Sequence, residues 1–98
     1  YRHATDVPMQ TARQCRAALD LCRRAARIGN DAMITDAGTG ALVCLAGVKG
    51  AAYNARVNLK SIKDAGYVKA TSDEIARLLS ESNAMAAEVD AEVMRLTA

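Results

Sequence analysis

A chain of 98 residues with a net charge of +2 can fold as one domain with a modest core, and it is too weakly basic to hold nucleic acid by charge alone. Apolar residues make up 51% of it, mostly as alanine, with no Trp or Phe and three Tyr. Small side chains bury little area each, so a solitary bundle is expected to be marginal, and the chain to need a partner copy or the rest of a larger multihelical domain.

"TDVP" (Thr5 to Pro8) reads as a cap followed by a proline in a first helical turn. From there Ala12, Cys15, Leu19, Cys22 and Ala26 recur at alternating spacings of three and four, a helical stripe. Arg13, Arg16, Asp20, Arg23, Arg24 and Arg27 fall off that stripe. They read as a solvated face with Arg16–Asp20 and Asp20–Arg24 at pairing distance, or as a site for an anionic ligand. Gly29 is expected to end the helix in a left-handed conformation.

After the loop "NDAMI", Thr35 is placed to cap a second helix and Asp36 to sit in its first turn, where a carboxylate suits the helix dipole. From Asp36 to Ile62 the sequence is apolar nearly all round until Lys49, which predicts burial. Gly38, Gly40, Gly47 and Gly50 each cost about 1 kcal/mol relative to alanine. Four such costs imply close approach by neighbouring helices, or room for a flat ligand. Asp64 is placed to cap a third helix, with Ile75, Leu78, Leu79, Ser82, Met85, Ala86, Val89, Val93 and Leu96 as its inner stripe and its methionines as core filler. The predicted fold is all-α, an antiparallel bundle of about three long helices with short connections.

The longest small and apolar run, Ala37 to Val48, is too short for a membrane span. "YRHATDVPMQ" has no apolar signal-peptide core. Cys15, Cys22 and Cys44 are an odd number on helical apolar faces and read as buried free thiols of a cytoplasmic protein. With only His3 to join them, no metal site is expected.

Four segments carry a resemblance: "ATDVP", "GN" at Gly29–Asn30, "TDAGTGAL" (Thr35 to Leu42) and "GAAYNARVNLKSIKD" (Gly50 to Asp64). In this order and spacing, from about Ala4 to Asp64, the chain resembles the cyclodeaminase/cyclohydrolase family of folate enzymes, and in style its bacterial cyclohydrolases. It departs where the family usually has serine (Thr35), often a second asparagine (Ala32), and valine (Thr39 and Ala55). Family members also carry an upstream half with a glycine-rich segment and a "D-x-x-A-F"-like acidic helix. The resemblance therefore implies that residues 1–98 are the C-terminal half of one helical domain, dimeric by the family's habit.

The implied reaction is hydrolysis of methenyltetrahydrofolate to 10-formyltetrahydrofolate. The alternatives are cyclisation of formimidoyltetrahydrofolate with release of ammonia and, in another class, a non-catalytic helical assembly module. Folate is then substrate, with no cofactor, membrane or nucleic-acid partner. Such chemistry needs a carboxylate to stabilise a cation and orient water, carboxamides for the pterin edge, and cations for the glutamate tail. Asp36 is the candidate catalytic carboxylate, against a plain role at the helix dipole. Asn54 and Asn58, one turn apart, are candidate substrate-binding groups, against interhelical hydrogen bonds. Arg56 and Lys60 are candidate tail-binding groups, against a solvated helix end. Asp36 and Asn54 are eighteen positions apart, which puts them on one face but roughly 27 Å apart. One small site takes both only if two copies of the helix pair antiparallel.

Overall fold

The structure, a computed structural model, describes residues 2–98, with side chains from Ala4 onward. It holds three helices: α1 (Arg2–Ile28), α2 (Ile34–Leu59) and α3 (Ala65–Thr97). Gly40 lies against Cys22 and Gly47 against Cys15, so α2 runs antiparallel to α1. Gly38 lies against Val93, so α3 runs antiparallel to α2 and parallel to α1. The result is an up-down-up rod, 50 × 17 × 16 Å.

Gly29 has φ +72°, and its N–H bonds the Ala26 carbonyl at 3.0 Å, the expected left-handed stop. Asp64 caps α3 by accepting from the Tyr67 N–H at 3.0 Å. The first two starts differ from expectation. Helix α1 is already formed at Arg2, and Pro8 lies inside it. Thr5 is no cap: its hydroxyl is buried and bonded to the Tyr67 hydroxyl on α3. Thr35 does not cap α2 either. Asn30 accepts from the Ala32 N–H at 2.9 Å and Met33 donates to the Asn30 carbonyl at 3.0 Å, so the chain turns earlier and Met33 takes the cap position.

The core falls into two clusters along the rod. Met9, Ala12, Val48, Ala51, Ala52, Ala55, Leu59, Ile75 and Leu78 form one. Leu19, Ala26, Ile34, Ala37, Ala41, Met85 and Val89 form the other. Ser82, fully buried, stands on α3 between the two.

Three of the four α2 glycines admit close neighbours: an added Cβ would meet Val93 at 2.7 Å from Gly38, Cys22 at 3.0 Å from Gly40 and Cys15 at 2.5 Å from Gly47. Gly50 faces open space. The expected burial of α2 holds on one side only, since Leu42 and Val43 are 66% exposed and Tyr53 and Val57 64%. Small residues pack α2 closely on α1 and α3, and a three-helix layer leaves its remaining side uncovered.

The off-stripe arginines of α1 form the expected solvated face, and most of them are ion-paired there. Arg13 holds Glu74 through two bonds of 2.7 Å, Arg16 meets Glu81 at 3.0 Å and Arg27 holds Glu88 at 2.6 and 3.0 Å. Asp20 pairs with Arg24 at 3.1 Å and with Arg23, while Arg16 turns to α3 instead. The three cysteines are free and half-buried. Burial, then the neighbouring Cys22 thiol, pushes the Cys44 thiol up from its ordinary value.

Candidate functional site

Asn54 and Asn58 come together. With Val7, Pro8, Thr11 and Ala51 they line an open groove of about 350 Å³ where α1 crosses the end of α2. Their carboxamides are anchored differently. Asn54 Nδ2 donates to the Gly50 carbonyl of its own helix at 3.0 Å. Asn58 Nδ2 donates across to the Ala4 carbonyl on α1 at 2.7 Å.

The second bond has a cause in α1. A helical carbonyl at residue 4 takes its hydrogen bond from the N–H of residue 8, and Pro8 has none. Asn58 supplies the missing donor. The two asparagines therefore divide: Asn58 also joins α2 to α1, whereas Asn54 is tied only to its own helix. The groove's α1 residues, Val7, Pro8 and Thr11, were not signalled as site residues by the sequence. The one available signal was a proline inside a helical pattern, which implies an orphaned carbonyl four residues earlier.

Asp36 is exposed in the first turn of α2, at the far end from the asparagines. Helix α2 is continuous between them, so the roughly 27 Å separation stands. Beside Asp36, Thr35, Gly38, Thr39, Leu42, Val89, Asp90 and Val93 line a second groove of about 200 Å³ between α2 and α3. Asp90 was not singled out from the sequence; a surface acid on a long polar stripe gives no local signal. Arg56 lies exposed in the last turn of α2, and Lys60 is the exposed residue that follows it. Neither lines either of these two grooves. One chain thus brings together the carboxamides and leaves the carboxylate elsewhere. Among the described residues, no group of three or more His, Cys, Asp or Glu is placed to hold a metal ion, and no helix is long and apolar enough to cross a membrane. His3 lies outside the described side chains.

The site thus sits on a close-packed rod of three helices with a carboxamide-lined groove at one end. The chain belongs to the formiminotransferase-cyclodeaminase family, whose model matches residues 1–77. It is 39% identical over 82 residues to methenyltetrahydrofolate cyclohydrolase of Methylorubrum extorquens (strain ATCC 14718 / DSM 1338 / JCM 2805 / NCIMB 9133 / AM1), covering 84% of this chain and 39% of that protein. The chain therefore spans about two-fifths of the length of that relative.

Proposed function

We propose that this chain forms part of a cytoplasmic enzyme of folate one-carbon metabolism that hydrolyses methenyltetrahydrofolate to 10-formyltetrahydrofolate. The observation that carries the reading is the 39% identity to a cyclohydrolase across 84% of the chain. The groove adds a place for the ligand. Water adds to the amidinium carbon between two nitrogens, the bond to one nitrogen breaks, and one proton is released. Across an antiparallel pair of copies, Asp36 of one stabilises the cation and orients the water, while Asn54 and Asn58 of the other pair with the pterin edge and Arg56 and Lys60 take the anionic glutamate tail. No cofactor is needed for these steps.

The family match keeps a second reaction in view, closure of formimidoyltetrahydrofolate with release of ammonia, because both reactions pass through a tetrahedral carbon flanked by nitrogens. A non-catalytic assembly role is the reading of another class. Purified natural gene product incubated with methenyltetrahydrofolate should consume it faster than buffer does. Ammonia release from formimidoyltetrahydrofolate without that hydrolysis would assign the second reaction, and inertness toward both would leave the assembly role.

A further inference from the structure

Two of the three cysteines meet where α1 packs on α2. The Cys22 sulfur lies 3.0 Å from where a Cβ on Gly40 would stand, and Cys44 follows Gly40 by one turn on the same side of α2. Both cysteines pack against the cluster that holds Leu19, Ala41 and Val89. A helical side chain leans toward the N-terminus of its own helix. Because α1 and α2 run antiparallel, Cys22 leans along the contact toward Cys44, and Cys44 leans back toward Gly40 and the Cys22 sulfur. The Cys44 thiol registers the neighbour: burial first, then Cys22, holds it above its ordinary value. Cys15 is placed differently. Its sulfur lies 2.5 Å from where a Cβ on Gly47 would stand, and the same lean carries it toward the far end of α2, away from Cys44.

We propose that Cys22 and Cys44 form a thiol–disulfide modification site, closed by a hydroperoxide and reopened by a small dithiol. A disulfide needs its two Cα atoms about 4.4–6.8 Å apart, and the missing side chain at Gly40 draws the two backbones together at this level. Burial keeps Cys44 protonated, which casts Cys22 as the attacking thiolate. Its sulfur takes one oxygen of hydrogen peroxide, the O–O bond breaks, and the hydroxide that leaves gains the proton Cys22 gave up. Cys22 is then a sulfenic acid. Cys44 attacks that sulfur, the S–S bond forms, and the sulfenic oxygen leaves as a second water with the Cys44 proton. Two thiols have lost two electrons, and the peroxide has been reduced to two waters. Attack by a dithiol on the bridge returns both thiols.

The bridge lies between two helices of one chain, so its formation depends on their contact and not on what covers their outer faces. It would close a loop that runs through the Gly29 turn and the first turns of α2. Closing that loop restricts the unfolded chain and so favours the folded one. In a reducing compartment such a pair rests as thiols and closes only while oxidant is present. Oxidation then clamps α1 to α2, and reduction releases the clamp.

The test treats the natural gene product with hydrogen peroxide, alkylates the remaining thiols under denaturing conditions, and maps the peptides by mass. The expected product is a Cys22 peptide joined to a Cys44 peptide, lighter by two hydrogens than the pair, with Cys15 alkylated. Dithiothreitol before alkylation should return all three cysteines as alkylated thiols. The oxidised protein should melt about 5 °C or more above the reduced one. Cys15→Ser should keep both the bridge and the shift, whereas Cys22→Ser and Cys44→Ser should lose both. The mapping of wild-type protein decides even if a serine variant fails to fold. A bridge through Cys15, a bridge between two chains, or sulfinic acid on Cys22 with Cys44 still a thiol overturns the site. A Cys22–Cys44 bridge that leaves the melting temperature unchanged overturns the clamp.

Discussion

Asn58 completes a hydrogen bond that Pro8 cannot make: its Nδ2 reaches the Ala4 carbonyl at 2.7 Å, where the N–H of residue 8 would otherwise donate. Asn58→Ala should therefore lower the melting temperature, through the loss of about 0.5–1.5 kcal/mol of stability, because the bond is exposed and water can reach the freed carbonyl. In a Pro8→Ala background the backbone N–H is restored, and the same change should cost visibly less. A double-mutant cycle by thermal melting measures the difference, and equal costs in both backgrounds would mean that the two residues act independently.

Asn54→Ala should behave differently. Its amide bonds the carbonyl of its own helix, on an exposed surface, so stability should change by less than about 0.5 kcal/mol. Folate affinity, measured by titration on the natural gene product, should fall. Normal affinity would remove Asn54 from the site.

Asp36→Asn keeps the shape of the side chain and loses its charge. As a first-turn acid it contributes about 0.3–1 kcal/mol through the helix dipole, so melting should move little. Turnover should fall by about 10² or more if Asp36 handles water or the cation. Unchanged turnover would reduce Asp36 to its service to the helix.

How much of this was legible beforehand varies from element to element. The Gly29 stop and the Asp64 cap were readable because each depends on a local backbone demand that few residues meet. The starts of α1 and α2 were not. Thr5 looks like a cap in sequence, and only the arrival of Tyr67 from α3 makes it a buried bridging hydroxyl. Asn54 and Asn58 were found by their spacing on one helix, whereas Val7 and Thr11 join them only because α1 crosses there. The arginines paired with α3 for the same reason: their partners lie more than sixty residues away.

Gly47→Ala should destabilise. The new methyl would sit 2.5 Å from the Cys15 sulfur, and overpacking of this kind costs about 1–3 kcal/mol, more than the roughly 1 kcal/mol gained in helix propensity. Thermal melting decides, and a rise in melting temperature would mean that Cys15 moves aside freely.

Acid should loosen the α1–α3 seam. Hydrogen bonding to Arg13, opposed by burial, leaves the Glu74 carboxyl below its ordinary value, and Arg27 does the same for Glu88 and Arg23 for Asp20. A carboxyl depressed in the folded state adds stability above its unfolded value, and loses it as pH falls through the folded one. Melting temperature should thus hold near neutrality and drop below about pH 4.5. Glu74→Gln should flatten part of that drop, and an unaltered acid limb would clear the seam of responsibility.

The partition of the core at Ser82 gives the rod two ends that do not share a hydrophobic cluster. Local opening follows the contacts of each unit, so one end can open while the other stays shut. Amide exchange would then report two protection levels along α2 rather than one.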